Sequence, residues 1–257
     1  MLTNETRVPE GSPRPSVFRD VWDTARMGKW EVPILYEDNH LIVAVKPPNL
    51  PSQADSSGDP DMLTVLKEYV RIKYQKPGNV YLGLVHRLDR PAGGVMIFAR
   101  TSKAASRLSE LFAAHAQGRQ YFAVLRGELA RERTLESYLV KNPDGFVREV
   151  AKTAKGAKYA KLTTRPVEAK NGLTLTDVEL FTGRAHQIRV QHAGIGCQLW
   201  GDARYGGGKP GQQLALWAWK LELPHPTKKD RMSFIAPPPD SGAWREFQDS
   251  IGEYCSR

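Results

Sequence analysis

The chain has 257 residues, with 37 lysine and arginine residues against 28 aspartate and glutamate residues and a formal charge of +9. It is long enough to bury a sizeable core in one domain, and its charge favours a polyanionic partner over an acidic small substrate. The two cysteines, Cys197 and Cys255, are too few and too far apart for a disulfide framework or a zinc-ligand pattern, and no run approaches the ~18 apolar residues that span a membrane.

Residues 1–15 hold Pro9, Pro13 and Pro15 among polar residues and read as a flexible leader. They lack the apolar core of a signal peptide, which points to the reducing cytoplasm. A short helix is expected over 16–30, so that 1–30 form a partly flexible leader and 31–257 the folded domain. "LIVAVK" (41–46) is a strand stopped by Pro47-Pro48, and "MLTVLKEYVRIKY" places Leu63, Leu66 and Val70 on one helical face. "GVMIFA" is a strand after a Gly93-Gly94 turn. Ser102 is the expected N-cap of a helix with Ala104, Leu108, Leu111 and His115 on one face and Gly118 at its end. Strands follow at 120–127, 158–167, 173–181 and 214–223, and a last helix near "SGAWREFQDSIGEY". Strand runs mixed with separate helices argue for α+β, not a regular βαβ alternation.

Three segments gather polar or charged residues with turns, "YEDNHLIVAVKPPNLPS" (36–52), "HRLDRPAGG" (86–94) and "GRAHQIRVQHAGIGCQLWGDARYG" (183–206). The motifs that matter here are "HRLDRPAGGVMIFAR" (86–100), "GRQYFAVLRG" (118–127) and "TGRAHQIRVQHAGIGCQLWGDARYG" (182–206). Together, in this order, they resemble the signature of the RluA-type pseudouridine synthases, enzymes that isomerise uridine in structured RNA. The resemblance covers about residues 33–237. It implies a mixed, largely antiparallel sheet with flanking helices and a central cleft, working without cofactor or metal on ribosomal or transfer RNA, as a cytoplasmic monomer.

By the same resemblance Asp89 is the catalytic carboxylate that acts at the ribose while the N-glycosidic bond breaks. A carboxylate in that role must be ionised, a form that nearby arginines favour. Arg189 is the implied partner of Asp89, and a guanidinium can hold a carboxylate by two parallel bonds. Tyr121 is implied to stack on the uracil and to assist proton removal. Arg87 is implied to enter the RNA helix and hold the target base outside it; on an extended segment it shares a face with Asp89, while Arg90 lies opposite. Arg184 and His186 are assigned to RNA contacts near the site, and neither His186 nor His192 to a metal.

Departures from the family concern the loop. Ala92-Gly93 stands where many relatives carry Thr-Ser, so hydroxyls that could brace the catalytic loop are missing, with Pro91 as a stiffening substitute. Ala185 replaces a frequent threonine, and Gln191-His192 a common His-Leu pair. Only about 30 residues precede Tyr36, too few for the small RNA-binding domain of many members, so target choice is expected to rest on the catalytic domain's own surface. The densest basic stretch, Lys141, Arg148, Lys152, Lys155, Lys158, Lys161 and Arg165, is the expected phosphate-tracking surface. Two other readings stay open: a nucleoside or RNA glycoside hydrolase using a second carboxylate such as Glu37 or Asp202, and an RNA-binding protein without catalysis.

Overall fold

Two apolar runs, Leu41–Lys46 and Gly93–Ala99, are buried at every residue. A strand can be apolar throughout only if both of its faces are covered, and these two form the middle of one large sheet. The computed structural model describes residues 23–206, 208–209 and 211–256. The leader expected over 1–15, and the part of the expected helix before Asp23, lie outside them.

The N-terminal strands are β1 (Asp23–Met27), β2 (Trp30–Glu37) and β3 (Leu41–Lys46), followed by helix α1 (Met62–Lys73). Next come β4 (Gly83–Leu84), β5 (Gly93–Ala99), helix α2 (Ser102–Ala113) and β6 (Gly118–Arg126). β7 (Arg133–Lys141), β8 (Val147–Val150), β9 (Lys158–Lys170) and β10 (Leu173–Leu180) lead into the short helix α3 (Gln187–Gly194). β11 (Leu216–Pro224), β12 (Arg231–Ile235), a 3-10 turn at Gly242–Phe247 and helix α4 (Gln248–Cys255) complete the chain. The strands run in the order β1-β2-β3-β5-β11-β6-β10-β9-β7-β8, with β12 on β11 and β4 on β5. Among the described residues every strand pairing is antiparallel except β5 with β11, which lies near the centre. The fold is α+β.

Strand alternation divides the core into two layers. Ile42, Ala44, Met96, Phe98, Tyr121 and Ala123 face one side with α1 and α3, and Val43, Val45, Ile97, Phe122 and Trp219 face the other with α2 and α4. On the second side Phe122 and Trp219 stack at 4.9 Å, and the Trp219 indole donates to buried Asp177 at 3.0 Å. Tyr121 therefore belongs to the face that carries α3.

Several local expectations change. Residues 23–27 form β1, paired along β2, instead of part of a helix. The α2 cap is Thr101, whose hydroxyl accepts from the Ala104 N–H at 3.1 Å, one residue before the expected Ser102. The helix stops at Ala113, His115 turns to φ 53°, and Gly118 opens β6 instead of closing a helix. Gly93 and Gly94 are not a turn: they begin β5 and allow β11 to come close, since a Cβ on Gly94 would lie 2.2 Å from the Ala218 carbonyl oxygen.

His192 on α3 is fully buried, with Nδ1 2.7 Å from the Ile188 carbonyl and Nε2 3.1 Å from the Thr164 hydroxyl. Burial pushes its pKa down to about 4. The unfolded chain then binds the extra proton first, so the stability from neutral His192 is complete above about pH 6.5 and is lost as the pH falls toward 4. Urea unfolding across that interval should show falling stability, with a shallower pH dependence in His192→Gln.

Candidate active site

The segment leading into β5 lacks loop hydroxyls of its own, and its backbone is held from outside. Lys46, at the end of β3, is fully buried and donates to the carbonyls of Pro47 at 3.2 Å, Arg90 at 2.9 Å and Ala92 at 2.6 Å. The Ser52 hydroxyl donates to the Leu88 carbonyl at 2.9 Å and accepts from the Leu88 N–H at 3.2 Å. Gln213 donates to the Pro91 carbonyl at 2.6 Å. Burial pushes Lys46 down to about 7, against the pull of the Asp89 charge. The carbonyls of residues 88, 90, 91 and 92 are thus all occupied, which gives Asp89 a fixed backbone.

The Asp89 side chain is 24% exposed and faces a cleft of about 740 Å³. Its Oδ2 accepts from Arg189 Nη1 at 3.1 Å, and the His186 Nε2 lies 4.0 Å away. Among the described residues no hydrogen bond reaches Oδ1. Arg189 does not fork Asp89. Its two parallel bonds, from Nε and Nη2, both go at 2.7 Å to Asp202, which is 1% exposed. Asp202 Oδ1 also accepts the N–H groups of Arg204 and Tyr205 at 3.1 and 3.2 Å. A guanidinium has two hydrogen-bonding edges; the edge engaged by Asp202 fixes its plane, and Nη1 is left to reach Asp89.

Arg90 turns away from Asp89 to pair with Asp55 at 3.1 Å and with Asp59. Arg87 is exposed, lines the cleft, and makes no ion pair among the described residues. Tyr121, 7% exposed, lines the cleft from β6, and burial pushes its pKa up, so the phenol keeps its proton. His186 holds φ 51° at the start of α3, and its Nδ1 lies 2.8 Å from the Tyr205 hydroxyl. Burial pushes its pKa down, against the pull of Asp89, and leaves the ring neutral at pH 7. Arg184 lines the cleft with its Nε on the Tyr159 carbonyl at 2.9 Å.

The basic stretch is less uniform than its composition. Arg148 pairs with Asp144, Lys161 with Glu136, and Arg165 with Glu132 and Glu179. Asp144 is four residues before Arg148 in the β7–β8 turn, whereas Glu132, Glu136 and Glu179 reach Lys161 and Arg165 from elsewhere in the chain. Lys152, Lys155 and Lys158 are exposed, outside the cleft and without an ion pair among the described residues, and Lys141 lines the cleft. Glu37 is buried on β2 with Lys73 and Arg100, away from the cleft. Asp89 is the single carboxylate among the residues that line it.

Four residues of the arrangement carry no assigned site role in the sequence reading: Lys46, Ser52, Tyr205 and Gln213. Asp202 and Tyr205 belong to the "GDARYG" run, whose signal is an acid followed at once by backbone N–H groups in a turn. Lys46 is signalled by a cation ending a fully apolar strand. Ser52 and Gln213 carry no such signal.

Residues 40–193 match the family model described as RNA pseudouridylate synthase. The chain belongs to this family. Among its members, a Helicobacter pylori protein named uncharacterized RNA pseudouridine synthase is 33% identical over 221 residues, which are 80% of this chain and 66% of that relative. A Pseudomonas aeruginosa ribosomal large subunit pseudouridine synthase D is 32% identical over 238 residues, with 84% and 73% covered. The chain spans about two thirds of the length of the H. pylori relative. The solved structure titled human RNA pseudouridylate synthase domain containing 4 superposes with a TM-score of 0.67 at 22% identity, over 85% of this chain and 91% of that one, and shares the fold.

The buried fork and the half-exposed acid of this family member should separate in stability. Asp202→Asn is expected to cost about 3 kcal/mol, because it weakens a buried ion pair, while Asp89→Asn should change stability by less than about 1 kcal/mol. Urea unfolding of the two variants measures the difference.

Proposed function

We propose that this chain isomerises uridine to pseudouridine in structured RNA, with Asp89 as its catalytic carboxylate. The observation that carries the reading is an acid held by one oxygen only. Arg189, locked by Asp202, orients Oδ2, and Oδ1 is left for the ribose of a nucleotide in the cleft. The glycosidic bond breaks, the uracil stays in the cleft, and it rejoins the same sugar through carbon, so the reaction needs no water and leaves the RNA mass unchanged.

Tyr121 supplies a ring for the uracil to stack on, which its protonated, buried state favours over service as a base. Arg87 is the residue for the space left in the duplex by the flipped base, since it is exposed at the cleft and makes no ion pair among the described residues. Lys141, Lys152, Lys155 and Lys158, with Arg184, form the backbone-contacting surface. Ribosomal RNA is the favoured substrate, in keeping with the P. aeruginosa relative's name, and the site of action is the cytoplasm. A hydrolase reading requires a second working carboxylate. Glu37 lies elsewhere, and both oxygens of Asp202 are engaged by Arg189.

Asp89→Asn should abolish isomerisation while RNA affinity stays within a few-fold. Carbodiimide mapping of RNA treated with each protein checks the first, and filter binding the second. Retained pseudouridine formation, or release of free uracil by the wild-type protein, would reject the reading. Arg87→Ala should slow single turnover on a stem-loop far more than on its unfolded counterpart, where the unstacking cost of a few kcal/mol is largely absent; equal losses on both would reject the flipping role.

A further inference from the structure

One wall of the cleft holds a charge with no ion-pair partner among the described residues. Arg119 lies two residues before Tyr121 on β6, lines the cleft and is 9% exposed. Its Nε and Nη2 are buried without a hydrogen-bond partner. Among the described residues only Gln117, at the entry to the same strand, shares that condition. No carboxylate forms an ion pair with Arg119 there. The third nitrogen, Nη1, lies against the cleft wall at Gly183, where a Cβ would sit 2.6 Å from it.

The surroundings deepen the deficit. His86 and His115 are both held neutral, first by burial and then by the charge of Arg119, and Arg184 adds to the effect on His115. The one acid lining the cleft, Asp89, is engaged by Arg189. Keeping a desolvated guanidinium without an acceptor is costly, and a ligand that brings the acceptor relieves the cost on binding. A neutral acceptor, such as a base carbonyl, satisfies an N–H but leaves the charge uncompensated. In RNA the anionic group is the phosphodiester, whose oxygens match the guanidinium fork.

We propose that Arg119 is a phosphate-binding residue that receives a backbone phosphate flanking the nucleotide seated at Tyr121 and Asp89. The proposal rests on the cleft being the RNA site, and it adds the ligand group for a wall that the catalytic arrangement leaves unused. Arg119 and Tyr121 point the same way on β6, about 6.8 Å apart along the strand, so one strand presents a stacking surface for a base and a cation for its backbone. Gly183 keeps the room that the guanidinium needs.

Thermal unfolding with uridine, uridine 5′-monophosphate and uridine 3′-monophosphate as probes tests this without turnover. In the wild type, at least one monophosphate at about ten times its dissociation constant should raise the melting temperature by about 3–6 °C, and uridine at the same concentration by clearly less. In Arg119→Met the advantage of the monophosphate should disappear, while the unliganded variant melts no lower than the wild type because an unbalanced charge has gone. If Arg119→Met does not fold, Arg119→Gln reads the same difference. Equal protection by uridine and the monophosphates in the wild type, or an undiminished monophosphate advantage in the variant, would overturn the proposal. RNA that is never isomerised, together with monophosphate protection that depends on Arg119, would reject the proposed activity and support the phosphate site.

Discussion

The pair between Arg189 and Asp202 sets the geometry on which the rest of the site depends. A guanidinium shared evenly between two acids would hold neither firmly. Here Asp202 takes two parallel bonds and is itself anchored by the backbone N–H groups of residues 204 and 205. The plane of Arg189 is therefore set before Asp89 enters the account. Asp89 receives direction through one N–H, and most of the arginine's charge is already answered by a buried partner. This arrangement orients an acid without sequestering it.

The backbone beneath Asp89 follows the same logic at larger scale. Lys46 and Ser52, at the end of β3 and in the loop after it, and Gln213, about 160 residues later just before β11, each close on a carbonyl of the same short segment. That segment enters β5 where the sheet holds its single parallel pairing, and the glycines there let β11 approach closely enough to pair with β5. Stiffness that a hydroxyl within the loop could supply locally is supplied by the core. Tyr205 has a comparable role on the other side: its hydroxyl meets both His186 and the Val147 N–H, and its ring lies beneath the Arg189 guanidinium.

Much of this was readable from residues alone, and the limits have physical causes. β3 and β5 are legible because burial on both faces leaves an unbroken apolar run, and α1 because its apolar face repeats with the helical period. β1, β7 and β8 mix exposed and buried positions with charge and offer no clean alternation, and β12 alternates over only five residues with none of them fully buried. Helix α3 escapes for a different reason. Its buried positions include Gln187, Arg189, Gln191 and His192, whose burial is compensated by hydrogen bonds instead of apolar contact, so no hydropathy pattern marks it. At the site, the motifs identify Asp89, Tyr121 and Arg189, and all three meet at one cleft. The resemblance implied a fork from Arg189 to Asp89; the pairing is there, but through one bond, and the fork goes to Asp202. Which acid takes the fork is a question of distance, which the motif does not carry.

The central parallel pairing also has a consequence in time. β5 is made early, yet its partner at Gly93 and Gly94 is Trp217 and Ala218, more than a hundred residues later. Contacts of such sequence separation form late, because a long loop must be closed before they return any stability. A nascent chain emerging from its N-terminus presents Asp89 well before Arg189, Asp202 and Gln213 exist to hold it. Until β11 arrives, the start of β5 remains an unpaired edge, open to pairing with the wrong strand. The proposed catalytic site is thus assembled only after Gln213, the last of these supports, has been translated.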